Sequence, residues 1–329
     1  MALTDSFNRA ITDLRVSVTD RCNFRCIYCR SAEPENYVPG NHLLTWPEYQ
    51  RLCRVLAALG LHKIRVTGGE PLVRPGVEDF IQWLSDQRLF DDIALTTNGF
   101  SLAEKAERLK AAGLHRLNVS LDSLKSERFD RITRTRGALA RVLAGIEAAE
   151  AAGLAPVKVN AVIVRGFNDD EIFDFVHFAR ARRLVMRFIE FMPLDADHIW
   201  DRTRVVQAAE ILAQLRQVDH LVELPRQAAS ETALRYRFAD GSAEVGIVAP
   251  VSIPFCGHCS RIRVTADGKI RTCLFSALDH DLRGLLRNGA ADASIAARIE
   301  EIVRHKEEGH RINEPDFVPP NRTMVFIGG

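Results

Sequence analysis

The chain has 329 residues, of which 47% are hydrophobic, enough to bury one large core or one large and one small. Its 44 basic and 43 acidic residues nearly cancel, which leaves no electrostatic footprint for a nucleic-acid partner, and local basic clusters such as Arg131, Arg134 and Arg136 read as a solvated helix face. No apolar stretch approaches the roughly 18 residues of a membrane span, and the first residues lack a signal peptide's apolar centre; a soluble, cytoplasmic protein is expected, in which seven cysteines point to metal or catalysis rather than disulfides.

From about residue 13 to 192, short β-rich runs alternate with amphipathic helical ones. Strands are predicted over 14–18, 63–67, 93–97, 116–121, 157–164 and 185–191, with helices among them over 47–59, 102–112, 138–152 and 170–181. Thr45-Trp46-Pro47 reads as a helix start, and Gly60, Gly113 and Gly153 fall where C-terminal caps belong. Six strands alternating with helices predict a parallel sheet with right-handed crossovers, either an open doubly wound sheet or a barrel. The pattern within the strands favours the barrel. Parallel strands covered on both faces read as apolar runs. Here one face is apolar (Leu14, Val16, Val18; Ile64, Val66; Leu117, Val119, Leu121; Val157, Val159) and the other is polar (Arg15, Ser17; Lys63, Arg65, Thr67; Thr96, Asn98; Asn118, Ser120, Asp122; Lys158, Asn160). Buried charge is costly without partners, so a polar face repeated over five strands implies a shared wet cavity inside an incompletely filled barrel. A sheet with one solvent face is the alternative, which the intervening helices disfavour. The sixth strand mixes both characters, and its faces stay unassigned.

Beyond residue 193 the alternation breaks. A helix over 205–216 and β-rich runs at 236–238 and 244–247 lead to a second cysteine cluster, two further helices and a Pro-containing tail ending Met324-Val325-Phe326-Ile327-Gly328-Gly329. The chain is thus expected to divide into a partial barrel, 1–200, and an α+β region, 201–329.

Six of the cysteines fall in two trios. Cys53 stands alone at an apolar position of a helical run and reads as a small core residue. Cys22, Cys26 and Cys29 have the spacing C-x3-C-x2-C and directly follow the first strand. A structural zinc site wants four ligands, whereas three thiolates on a 4Fe–4S cluster leave one iron open. The end of a barrel strand is where barrel active sites lie. Thr67-Gly68-Gly69-Glu70-Pro71 follows the second strand, and glycines there let backbone approach a ligand closely. Cys256, Cys259 and Cys273 form the second trio, C-x2-C-x13-C. His258 or His280 could complete a zinc site there; the other reading is a second 4Fe–4S cluster with an open iron. Arg261 and Arg263 alternate onto one face beside it, and guanidinium groups suit phosphate through paired hydrogen bonds.

The first trio with the Gly-Gly-Glu-Pro turn resembles the radical S-adenosylmethionine (SAM) superfamily, whose reduced cluster cleaves SAM to a 5′-deoxyadenosyl radical that abstracts hydrogen. In that resemblance Gly69 and Glu70 belong to the turn that binds the SAM amino group, Tyr28 meets the adenine, and Ser120 and Met192 fall where relatives contact SAM. Taken in order, the segments 14–29, 63–72, 95–99, 117–122, 157–160, 187–192 and 255–263, with the terminal Gly328-Gly329, resemble one family, GTP 3′,8-cyclase, across essentially the whole chain. One departure is Arg30-Ser31, where the family pattern has Met-Pro. The resemblance implies an incomplete (βα)6 TIM-like barrel with a C-terminal α+β extension carrying a second cluster. It implies two 4Fe–4S clusters, held by the two trios, and GTP bound between them. The product would be 3′,8-cyclo-7,8-dihydro-GTP, in the first step of molybdenum-cofactor biosynthesis. Arg15, Arg65, Lys158, Arg261 and Arg263 would bring five positive charges to a triphosphate with roughly four negative ones. By the same resemblance Thr96 would be a further GTP contact, Arg187 would complete the phosphate or radical pocket, and Arg15, Arg261, Arg263, Gly328 and Gly329 would carry catalytic roles. Also implied are a cyclic pyranopterin monophosphate synthase downstream, a flavodoxin- or ferredoxin-type electron donor and a homodimer. The rival readings are another two-cluster radical SAM enzyme, such as one that modifies peptides, and a non-enzymatic iron–sulfur or zinc redox sensor.

Overall fold

The structure, a computed structural model, describes residues 3–33 and 36–328. The alternation seen in sequence becomes β1 (Asp13–Ser17), α1 (Trp46–Ala58), β2 (Lys63–Thr67), α2 (Val77–Gln87), β3 (Asp92–Thr97), α3 (Ala106–Ala111), β4 (Arg116–Ser120), α4 (Ser126–Thr133), α5 (Ala138–Ala151), β5 (Lys158–Ile163), α6 (Ile172–Arg182) and β6 (Val185–Glu190). The second half adds α7 (Ala208–Val218), β7 (Leu221–Leu224), β8 (Ala233–Phe238), β9 (Glu244–Val248), β10 (Arg261–Val264), β11 (Lys269–Arg271), β12 (His280–Asp281), α8 (Arg283–Arg287), α9 (Asp292–Arg304) and α10 (Met324–Ile327).

Local chemistry sets the boundaries. Thr45 and Glu48 form a reciprocal capping box at the start of α1, the Thr45 amide donating to the Glu48 carboxylate at 2.7 Å. The helix expected over 102–112 is regular only in α3, because the chain leaves β3 through Gly99, at φ +77°, and Leu102 and Lys105 first close three-residue turns. The helix expected from 205 starts at Ala208 instead: Val205 stays extended and bridges Val164, and Glu210 caps the Gln207 amide.

Among the described residues, twelve strands lie in one open sheet, in the order β12-β11-β10-β1-β2-β3-β4-β5-β6-β9-β8-β7. Six parallel strands were expected, and eight are found. β9 pairs parallel with β6, and β10 pairs parallel with β1, with Asp13 beside Arg261 and Arg15 beside Arg263. The outer face of the sheet carries the core. Leu14, Val16, Ile64, Val66, Leu117, Val119, Val159 and Phe188 are at most 2% exposed and pack against helices such as α1, α2 and α6. Each such large side chain contributes about 2 kcal/mol by leaving water. The inner face carries the polar residues that the sequence alternation marked, and it curls around a cavity.

Candidate active site

The parallel register turns alternate residues of every strand inward, so the site is a layered wall. Arg15 lies beside Arg65 and Arg263, Thr96 beside Asn118, and Asn160 beside Arg187. They surround a chamber of about 320 Å³ whose lining includes all six trio cysteines. A second cavity of about 610 Å³ continues it toward the strand N-termini, and Arg15, Arg65, Arg187, Arg261 and Thr232 line both.

The first trio occupies the loop after β1. The Cys29 and Arg30 amides both donate to the Cys26 carbonyl at 2.9 Å, and Phe24 pins the loop between the rings of Phe100 and Phe129. Cys22 Sγ accepts from the Phe24 amide at 3.4 Å and from Asn98 Nδ2 at 3.8 Å. Burial pushes the Cys22 thiol up to about 12 and Cys26 well above its ordinary value. Bare thiols there hold their protons until a metal offsets the desolvation. Arg30, part of the Arg30-Ser31 departure from the family pattern, is buried and donates to the Cys22 carbonyl at 3.1 Å.

Behind this loop, a Cβ at Gly69 would stand 2.4 Å from the Arg21 carbonyl oxygen, so only glycine lets the turn after β2 pass so close. Glu70 is buried and accepts from Leu72 N, Thr97 Oγ1 and Asn98 N at 2.9, 2.7 and 2.6 Å. Its carboxyl ties β2 to β3, and burial raises it to about 7 despite those donors. Tyr28 donates to Asp122 at 2.6 Å, and burial lifts Asp122 to about 6. Tyr28, Gly69, Glu70, Ser120 and Met192 all line the chamber.

The second trio lies toward the other end of β1. Cys259 directly precedes Ser260 and β10, whose Arg261 is level with Asp13, so about 13 Å of strand from Asp13 to Ser17 helps set the two trios apart. Arg9 Nη1 donates to the Cys256 carbonyl at 2.9 Å, and Arg261 Nη2 to Cys259 Sγ at 3.5 Å. Burial works to raise Cys259, but Arg261 and Lys306 outweigh it and bring the thiol down to about 7. A Cβ on Gly309 would stand 3.4 Å from Cys256 Sγ, so a glycine keeps this flank of the thiol clear. His258 is exposed, and neither it nor His280 lines the chamber; the histidine that does is His310. Among the described residues no three His, Cys, Asp or Glu side chains gather around a single-ion position. Thiolates on separate irons of a cubane stand farther apart than the ligands of one ion. Both trios fit a cluster by their thiolate donors, their N–H···S contacts and the chamber space beside them.

The cations form the rest of the wall. Burial, with Arg261 nearby, lowers Arg15 to about 10; burial takes Arg65 and Arg263 well below the ordinary value. Lys158 comes down to about 8 through burial and the charges of Arg187, Arg116 and Arg65. Such crowding of like charge disfavours the empty fold and suits a polyanionic ligand. Arg15, Arg65, Thr96, Arg187, Arg261 and Arg263 line the chamber, whereas Lys158 lines the lower cavity. Arg263 Nη1 donates to the carbonyl of Gly328, which reaches Ser17 and Thr67; Gly329 lies outside the described residues.

The site also contains residues that sequence reasoning left out. Lys63 and Arg116 line the lower cavity, and Asp122 and Met324 line the chamber. Lys63 and Asp122 stood on the polar strand face and could have been drawn from it. Met324 carried no such signal, since its place depends on where the tail docks.

The Radical SAM superfamily model matches residues 16–179, and the Molybdenum Cofactor Synthesis C model matches residues 184–312. The GTP 3′,8-cyclase of Mycolicibacterium smegmatis is 48% identical over 99% of this chain and 92% of its own length. That of Streptomyces coelicolor is 44% identical over 99% of this chain and 96% of its own. Streptococcus suis SuiB bound to S-adenosylmethionine is similar in fold, with a TM-score of 0.64 over 95% of this chain and 76% of its own at 14% identity. This chain belongs to the GTP 3′,8-cyclase family of the radical SAM superfamily. No helix among the described residues is long and apolar enough to cross a membrane.

Proposed function

We propose that the chain converts GTP to 3′,8-cyclo-7,8-dihydro-GTP, the first step of molybdenum-cofactor biosynthesis, with SAM and two 4Fe–4S clusters. The observation that carries the reading is that both cysteine trios open onto one cation-walled chamber. When bound, a cluster on Cys22, Cys26 and Cys29 with SAM supplies the one-electron cleavage and hydrogen abstraction that open the reaction.

The protein's own share is positioning and charge. Tyr28, Ser120, Met192 and the Gly68-Gly69-Glu70 turn hold SAM at the strand C-termini. Cys256, Cys259 and Cys273 would hold the second cluster, which with three protein thiolates would leave one iron free to take a guanine ligand. Arg15, Arg65, Lys158, Arg187, Arg261 and Arg263 grip the triphosphate, with Thr96 as a further contact. A triphosphate fixed there keeps the ribose in one place, and positioning of that kind is worth several orders of magnitude in rate. Gly328, held by Arg263, closes the wall near the reacting sugar. A cytoplasmic homodimer, an electron donor of flavodoxin or ferredoxin type and a cyclic pyranopterin monophosphate synthase that takes the product accompany this reading, supported by the family.

Anaerobic reconstitution with iron and sulfide, then SAM, dithionite and GTP, tests it. About eight irons per chain, 5′-deoxyadenosine and a cyclised nucleotide are expected. Zinc in place of iron, or SAM cleavage that GTP never converts to cyclised product, would refute it.

A further inference from the structure

Arg322 lies in the tail, away from the chamber wall, yet all three of its guanidinium nitrogens are committed. Nη1 and Nη2 fork onto Asp267 at 3.0 and 2.8 Å, and Nε meets Asp279 Oδ2 at 2.6 Å. The three side chains are 20%, 9% and 16% exposed, so this is a sheltered network, unlike the surface pairs that contribute little.

Both acceptors are mounted on the second-trio region. Asp267 sits in the turn between β10 and β11, where it also accepts from Thr265 Oγ1 at 2.5 Å. Asp279 takes Arg271 Nη1 with its other oxygen, and Arg271 ends β11 two residues before Cys273, itself 1% exposed. Downstream of Arg322 the chain makes the single turn α10, with Val325 and Ile327 buried and the Met324 amide on the Leu194 carbonyl at 3.2 Å. Gly328 follows at φ +84°, where a Cβ would meet both Ser17 Cβ and Thr67 Cγ2 at 3.0 Å. Gly328 is thus wedged between the tips of β1 and β2 and the buried Arg263. A four-residue turn has no stability of its own. Two apolar side chains hold it down but do not fix how far it advances.

We propose that Arg322 is a positioning residue: a latch on Asp267 and Asp279 that sets how far Gly328 advances between β1 and β2 onto Arg263, which lines the chamber, and couples that depth to the strand leading into Cys273. The inference rests on the chamber being the GTP site. A lysine would keep the charge, as Lys269 does at 3.9 and 3.8 Å from Asp267 and Asp279, but would lose the planar fork onto Asp267.

The test uses the reconstituted full-length enzyme with Arg322→Ala, and with Asp267→Asn in case the first variant folds poorly. Amide exchange over 324–328 is expected to rise about tenfold as the tail loosens. Cyclised product is expected to fall about tenfold or more as the wall shifts. 5′-Deoxyadenosine is expected to stay within about twofold of wild type because the first trio is untouched, and iron content likewise because Arg322 contacts Asp267 and Asp279 and no cysteine. Arg322→Lys should recover part of the product. In a chain lacking Gly328 and Gly329, Arg322→Ala should add no further loss. Unchanged exchange, additive losses, or iron and 5′-deoxyadenosine falling in step with product would overturn the latch. If the wild type makes no cyclised nucleotide, the functional reading fails, while the exchange measurement still decides the latch.

Discussion

Lys158 makes the electrostatics of the site measurable at a single residue. It is an amine held at about 8 by burial and by three neighbouring guanidinium groups, where a free lysine would stay charged to beyond pH 10. Below pH 8 it is a cation facing the lower cavity; as pH rises through 8 it loses its proton and the wall loses a charge. A bound triphosphate favours the charged form, so binding takes up a proton near and above that pH. GTP affinity is therefore expected to weaken by about tenfold between pH 7 and 9. Calorimetry in two buffers of different ionisation enthalpy should show proton uptake rising over the same range. Lys158→Gln is expected to flatten both. A pH-independent affinity, or the same profile in the variant, would separate Lys158 from the phosphate.

At the scale of the elements, the turn after β2 is the tightest contact in the site. Gly69→Ala drives a Cβ to 2.4 Å from the backbone of the loop that carries the first trio, and neither backbone can yield without moving the other. The expected cost is about 2 kcal/mol of stability, as for other overpacked positions. SAM affinity should fall about tenfold or more if the loop is displaced. Thermal melting and equilibrium SAM binding measure the two effects. Gly40→Ala, which meets nothing within 4 Å, is the control expected to change neither. The same elements show what the sequence could and could not reveal. Along β1, β2, β4 and β5 the two-residue alternation directly marked which side chains face the chamber, because parallel register keeps that alternation aligned from strand to strand. Spacing grouped the cysteines into the two trios that line the chamber, but for the second it left zinc and a cluster both open. The parallel places of β9 and β10 were not. They are short strands joined to β6 and β1 across long connections, and their partners are chosen by the edges of the finished sheet. Arg322 and His310 were equally silent, since irregular chain has no period to read.

The whole molecule is organised around β1. One end leads into the first trio, the other pairs with β10 beside the second, and Arg15 stands between them on the chamber wall. Under the proposed function the trios have unequal jobs, one for cleaving SAM and one for presenting GTP, and replacing them separately should expose the difference. With Cys256, Cys259 and Cys273 changed to serine, iron should drop from about eight to about four per chain. Uncoupled 5′-deoxyadenosine should persist, and the cyclised nucleotide should vanish. With Cys22, Cys26 and Cys29 changed instead, both products should vanish. Cyclised nucleotide at the wild-type rate from the second-trio variant, or an unchanged iron content in it, would contradict the shared chamber as the seat of the reaction.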